Sequence, residues 1–112
     1  MRHHLLGTIL LALLGSGFLM HPLGAQSRDE EARDRQSAER ARAALERNSR
    51  RGTALDRLYG YHLERGTLDD LLQQYQKRTA QNSADGAAWM ILGLLEAQRR
   101  REDAAAAAFR QD

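Results

Sequence analysis

Two segments of this chain repeat one another at a spacing of about 34 residues. NSRRGTAL begins at Asn48 and NSADGAAW begins at Asn82, so asparagine, serine, glycine and alanine recur in the same order. Apolar positions in helices often coincide by chance, but the composition of a polar turn seldom does. The chain is therefore predicted to contain a tandem repeat of one structural unit.

Each copy has the pattern of two amphipathic helices joined by a short turn. Gly66 is expected to end the first helix of the first copy, and Arg100-Arg101 stands in the corresponding place in the second copy. The helices predicted for the second copy cover 87–99 and 102–109. The positions that define the repeat are Leu55 with Trp89, Leu58 with Leu92, Leu71 with Ala105 and Tyr75 with Phe109, together with Gly93 in the second copy.

The second copy also carries a family motif. Trp89, Leu92 and Gly93 fit W-x-x-L-G, and Ala105 and Phe109 fit A-x-x-x-F at the required distance. On these residues the segment 37–112 resembles the tetratricopeptide repeat family. The resemblance implies an all-α fold, a solenoid of tandem antiparallel helix-turn-helix units. It also implies a groove, lined by the first helix of each unit, that holds a peptide or another protein.

The N-terminal 25 residues have the composition of a secretory signal. A short basic start precedes an apolar run from Leu5 to Met20, and small residues lie before Gln26. Cleavage after Ala25 is predicted, and an uncleaved N-terminal membrane anchor is the alternative. Under both interpretations the rest of the chain is exported. The protein is therefore expected to be secreted or periplasmic, or anchored with its repeats outside the cytoplasm.

The remainder of the chain divides into a linker and the repeats. Residues 26–36 are almost wholly charged or polar and are predicted to be a solvated linker or the frayed start of a helix. The repeats are predicted to comprise a partial repeat (37–51), a repeat (52–85) and an incomplete repeat (86–112). Because about three repeats are needed for a stable array, residues 1–112 are expected to be the N-terminal portion of a longer protein.

Charge and composition argue against several classes of function. Beyond residue 25 the chain has 16 arginines and lysines against 15 acids, alternating in sign, so a nucleic-acid partner is not predicted. The chain has no cysteine, and His62 is the only histidine beyond the signal segment. No metal site, cofactor or catalytic residue is therefore predicted, and the chain is interpreted as a non-enzyme.

The candidate groove lies on the first helices of the two copies. The family resemblance would place lysine and asparagine side chains in this groove, where they would hold a terminal carboxylate. The chain has no such residues at the corresponding positions. The candidate groove residues are Asp56, Glu64, Met90, Leu94 and Gln98, which give one acidic end and one apolar end. The competing interpretation has Met90 and Leu94 packed against a neighbouring helix, with Asp56 and Glu64 as solvated charges.

Three hypotheses follow from these features. The first is an exported, non-catalytic scaffold that binds a protein or peptide partner. The second is that the repeats are the N-terminal region of a larger envelope enzyme or sensor, whose chemistry lies beyond residue 112. The third is homo-oligomerisation through the apolar helix from Ala104 to Phe109.

Overall fold

The computed structural model describes the backbone of residues 2–111 and the side chains of residues 24–110. The described backbone forms four helices and no strand, which confirms the all-α class. In chain order the helices are α1 (Arg2–Arg47), α2 (Thr53–Arg65), α3 (Leu68–Gln81) and α4 (Gly86–Gln111). The chain divides into two compact units, residues 1–33 and 34–112, and the second unit contains the core.

The predicted linker, residues 26–36, belongs to α1 and is helical throughout. Its arginines, glutamates and alanine are good helix formers, and nearly all of its side chains are exposed. The segment is therefore a solvated helix and not an irregular spacer. The predicted signal core, by contrast, lies at positions whose side chains are outside the described residues, so export and cleavage stay predictions.

The helices α2 and α3 form an antiparallel hairpin that closes at Gly66. This glycine has a left-handed backbone (φ 69°), which glycine adopts without steric cost. Its N–H donates to the Leu63 carbonyl at 3.2 Å, and the Thr67 N–H donates to the His62 carbonyl at 2.9 Å. The last carbonyls of α2 are thereby satisfied at the point where the chain reverses, as sequence reasoning predicted for Gly66.

The helix α4 runs antiparallel to α3 and is fixed at both ends of their contact. Near the turn, the Asp85 carboxylate accepts the Ala88 backbone N–H at 3.0 Å and caps the first turn of α4. The same carboxylate is paired with Arg78 of α3 at 3.0 Å. At the far end Arg99 of α4 is paired with Asp69 of α3 at 2.7 Å. Consequently α2 and α4 lie parallel to each other.

One core joins all four helices of the second unit. Each helix contributes small or branched side chains at intervals of three and four residues, the spacing of one helix face. The core residues are Ala41 and Leu45 of α1; Leu55, Leu58 and Tyr59 of α2; Leu68, Leu71, Leu72 and Tyr75 of α3; and Ala88, Ile91, Leu92 and Leu95 of α4.

Tyr75 connects α3 to α1. The side chain is fully buried, and its hydroxyl donates to the Glu46 carboxylate at 3.0 Å and accepts from Arg42 Nε at 3.0 Å. The guanidinium groups of Arg42 and Arg78 lie 5.0 and 5.1 Å from the ring centroid. Arg78 also pairs with both oxygens of Glu46. These contacts hold α1 parallel to α3.

The hairpin predicted for the second copy is not formed. Residues Arg100 and Arg101 are helical, and α4 continues without a break from Gly86 to Gln111. Arginine has no special access to the left-handed backbone that Gly66 supplies at the corresponding turn, and five alanines follow, the residue with the highest helix propensity. Ala105 and Phe109 are therefore exposed, Phe109 by 80%, instead of packing in a second helix.

The shift between corresponding buried positions is not the same for the two pairs of helices, α1 with α3 and α2 with α4. From α1 to α3 the period is the predicted one. The buried residues Ala38, Ala41 and Leu45 of α1 each correspond, 34 residues later, to the buried residues Leu72, Tyr75 and Thr79 of α3. From α2 to α4 the shift is 33, since the buried residues Leu55, Leu58 and Tyr59 correspond to Ala88, Ile91 and Leu92.

The turn length explains the difference. The turn between α1 and α2 covers residues 48–52, whereas the turn between α3 and α4 covers 82–85 and is one residue shorter. One residue rotates a helix by about 100°. The pairing of Leu55 with Trp89 is therefore wrong as a pairing of core positions: Leu55 is buried and Trp89 is 51% exposed.

The Tyr75 hydroxyl should contribute measurably to stability. In Tyr75→Phe, Glu46 and Arg42 each lose a buried partner, so we expect the free energy of unfolding in urea to fall by about 1–2 kcal/mol. Tyr61→Phe is the matched control, because Tyr61 is half-buried and its hydroxyl makes no hydrogen bond to other described residues. Equal losses in the two variants would contradict the role given to Tyr75.

The ion pairs of Arg78 should make stability pH-dependent. Hydrogen bonding to Arg78 lowers the pKa of Glu46 from its ordinary 4.5, and the Ala88 N–H, then Arg78, lowers the pKa of Asp85 from 3.8. Each carboxylate therefore stabilises the fold above its unfolded pKa, and this stabilisation is lost as the pH falls through the lower folded pKa.

We expect the free energy of unfolding to decrease between about pH 5 and pH 3, with a shallower slope in Arg78→Gln. Arg99→Gln should keep the native slope, because the pair of Arg99 with Asp69 is exposed. Urea titrations at a series of pH values measure both slopes, and parallel curves for Arg78→Gln and the native chain would count against the assignment.

Candidate interaction surface

The parallel helices α2 and α4 expose one face each, and corresponding positions on the two faces are 33 residues apart. Asp56 and Arg57 on α2 correspond to Trp89 and Met90 on α4. All four side chains are exposed. The surface is thus charged on α2 and apolar at the start of α4. Hereafter it is called the α2–α4 face.

The apolar end of the α2–α4 face is made by Trp89 and Met90. Their side chains are 51% and 54% exposed, which is high for adjacent large apolar residues. The indole N–H of Trp89 donates to the Ser83 carbonyl at 3.0 Å, so the ring is held against the preceding turn. A ring with fixed orientation loses little entropy on binding, which suits it as an anchor for a partner.

The middle of the α2–α4 face carries two glycines at corresponding positions, Gly60 and Gly93. A Cβ atom added at either would have no heavy atom within 4 Å. Gly93 therefore does not mark a close approach to a neighbouring helix. The two glycines instead place no side chain at the middle of the face.

The predicted groove residues do not form a single row. Asp56, Glu64 and Met90 are exposed as expected. Leu94 is half-buried and packs against the core, in agreement with the competing interpretation for that residue. Gln98 is half-buried, and its side-chain oxygen accepts a hydrogen bond from Arg101. Because the shift is 33, Asp56 corresponds to Trp89 and not to Met90.

Sequence reasoning missed Trp89 as a surface residue, because the 34-residue period pairs it with Leu55, which is buried. The length of the two turns was the signal that could have revealed it. The other positions predicted to define the repeat fall into two groups by burial. Leu55, Leu58, Leu71, Tyr75 and Leu92 are buried, whereas Gly93, Ala105 and Phe109 are exposed.

His62 packs on the opposite side of α2, next to the hairpin turn. Its Nδ1 atom and the Thr67 hydroxyl oxygen are 2.7 Å apart. Burial lowers the pKa of His62, and the charges of Arg42 and Arg65 lower it further. The ring therefore favours its neutral form and closes the turn. Within residues 24–110 no three histidine or acidic side chains are grouped closely enough to hold a metal ion.

Comparison of the chain with models of known families, with curated proteins and with solved structures gives no match. The likeness to tetratricopeptide repeats thus rests on the sequence motifs alone. Across the described residues no helix is both long enough and apolar enough to span a membrane.

The different burial of Trp89 and Leu92 can be measured. Trp89 is half exposed, so Trp89→Ala should cost less than about 1 kcal/mol of unfolding free energy. Leu92 belongs to the core, so Leu92→Ala should cost about 2–5 kcal/mol. Urea unfolding followed by far-ultraviolet circular dichroism measures both. If Trp89→Ala proved the more damaging substitution, the shift of 33 between α2 and α4 would be wrong.

Proposed function

We propose that this chain is an exported, non-catalytic helical-repeat scaffold that binds a protein or peptide partner on the α2–α4 face. One observation carries the proposal: the buried positions recur from α1 to α3 and from α2 to α4 at nearly one period. Recurrent burial of this kind is how helical repeat proteins pack, and they use exposed helix rows for binding.

The chemistry of the α2–α4 face suggests the kind of partner. Trp89 and Met90 offer an apolar anchor, and aromatic and methionine side chains are enriched at interfaces. Arg57 and Glu64 on α2 offer one charge of each sign. A partner segment with one apolar side chain against Trp89 and Met90, and with polar groups against α2, would fit this surface. Because Gly60 and Gly93 carry no side chain, they leave space for the backbone of such a segment.

Export is the part of the proposal that rests on residues 1–25. Their basic start, apolar run and small residues before Gln26 support a signal peptide, and a retained anchor is the alternative. Fusing residues 1–36 to a reporter that is active only outside the cytoplasm tests export. The size of the recovered fusion separates cleavage after Ala25 from retention, and an inactive reporter would refute export.

Partner binding can be tested in cells by site-specific photo-crosslinking. A photoreactive amino acid at Met90 should give a discrete adduct with another protein, identified by mass spectrometry. The matched control is the same group at Lys77, which is exposed on α3 and outside the α2–α4 face. Adducts of equal yield at both positions, or none at Met90 in the folded exported protein, would refute the proposal.

Once a partner is identified, Trp89 supplies a quantitative test. We expect Trp89→Ala to weaken binding about tenfold or more, because truncation of an aromatic side chain that anchors a partner costs over about 1 kcal/mol. Gln73→Ala on α3 is the control, since Gln73 is exposed away from this face. Calorimetric titration of both variants against the purified partner gives the two affinities.

A further inference from the structure

A cleft of about 310 Å³ lies where the α2–α3 turn meets α4. Its apolar floor comes from Tyr59, Leu63 and Leu68, and Leu63 is 50% exposed there. Its rim carries three carboxylates and one guanidinium, those of Asp69, Glu102, Asp103 and Arg99. The Tyr59 hydroxyl donates to Glu102 at 3.0 Å, and Asp69 is paired with Arg99. The rim is therefore net acidic around an apolar floor.

Beyond this cleft α4 continues alone. All side chains from Arg101 to Arg110 are exposed. Leu95, Glu102 and Phe109 are spaced by seven residues, about two helical turns, and so lie on one side of α4. Leu95 is in the core and Glu102 contacts Tyr59, so Phe109 extends the core-facing side of α4 past the level of the turn between α2 and α3.

We propose that a second copy of this chain covers this end of α4. In this dimer the two α4 helices run antiparallel about a twofold axis between Ala105 and Ala106. Phe109 of the second copy then lies at the level of Glu102 and enters the cleft, while Phe109 of the first copy enters the cleft of the second. Such an isologous contact closes on itself and needs no further subunit.

Charge complementarity favours a second copy as the occupant. Arg110 follows Phe109 directly, so each inserted ring brings a guanidinium to the acidic rim of the other copy. Arg110 makes no ion pair with any described side chain. Asp103, on the rim, likewise has no ion-pair partner within residues 24–110. The dimer pairs these two charges twice.

Side-chain size at the axis also fits. The five residues Ala104 to Ala108 surround the axis, two before it and three after it, and their small side chains allow two helices to approach closely. The contact is limited to the last three turns of each α4 and to one cleft per copy. We therefore expect a weak dimer that dissociates on dilution. The interface is separate from the α2–α4 face, and the proposal does not depend on the function proposed above.

Disulfide trapping in the full chain tests the dimer. The chain has no cysteine, so any disulfide must come from an introduced residue. Near a twofold axis a residue lies close to the same residue of the second copy. Ala105→Cys or Ala106→Cys should therefore form covalent dimers under mild oxidation. Arg40→Cys, exposed on α1, is the control. Dimer yields no higher than those of Arg40→Cys at both alanine positions would overturn the proposal.

Two further substitutions in the more readily cross-linked variant test the contact itself. Phe109→Asp should lower the dimer yield about fivefold or more, since it removes the inserted ring. Arg110→Glu should lower it as well, and adding Asp103→Arg to Arg110→Glu should restore it. All these side chains are exposed, so helicity and the urea midpoint should stay native. An unchanged dimer yield in the folded Phe109→Asp variant would refute the contact.

Discussion

The arrangement of this helical unit depends on the buried hydroxyl of Tyr75. A phenol in the core needs hydrogen-bond partners, since an unsatisfied buried polar group costs about 1–3 kcal/mol. Glu46 and Arg42 supply them from α1. Glu46 is in turn held by Arg78, which also binds the Asp85 carboxylate that caps α4. One hydroxyl thus begins a series of contacts from α1 through α3 to the first turn of α4.

In this protein charged side chains orient α1 against the neighbouring helices, a role that larger apolar side chains often have in other proteins. Among the described residues of α1, the face turned to the core is mostly alanine, and Leu45 is its one large buried side chain. Alanine buries little apolar area, so packing alone gives α1 few directional contacts. Arg42 and Glu46, on the edge of that face, provide direction by hydrogen bonding, and the alanines let the helices approach closely enough for these bonds to form.

Much of the fold could be predicted from the sequence. Periodicity located the helices of the first copy, and Gly66 marked the turn between them, because both signals are local. The buried state of Leu55, Leu58, Leu71 and Tyr75 followed from the same periodicity. The part of α1 before residue 37 was less clear, since a charged helix and a charged linker have the same composition.

The errors have two physical causes. Trp89 was paired with the buried Leu55 because a motif fixes the order of residues but not the rotation of a helix, which here depends on a turn shorter by one residue. The turn expected at Arg100-Arg101 failed because nothing there competes with helix propensity. The rotation of α4 is also why the candidate surface was predicted only in part. Asp56 and Met90 were placed in one groove, but they do not occupy corresponding positions on α2 and α4.

The contacts described above also bear on how the chain reaches its fold. Arg42 and Tyr75 are 33 residues apart in sequence, Glu46 and Arg78 are 32 apart, and Asp69 and Arg99 are 30 apart. Each contact therefore closes a loop of about one repeat, and no long-range closure has to precede it. Because α3 contacts the helices on both sides, we expect folding to start from the pair that α3 forms with either neighbour.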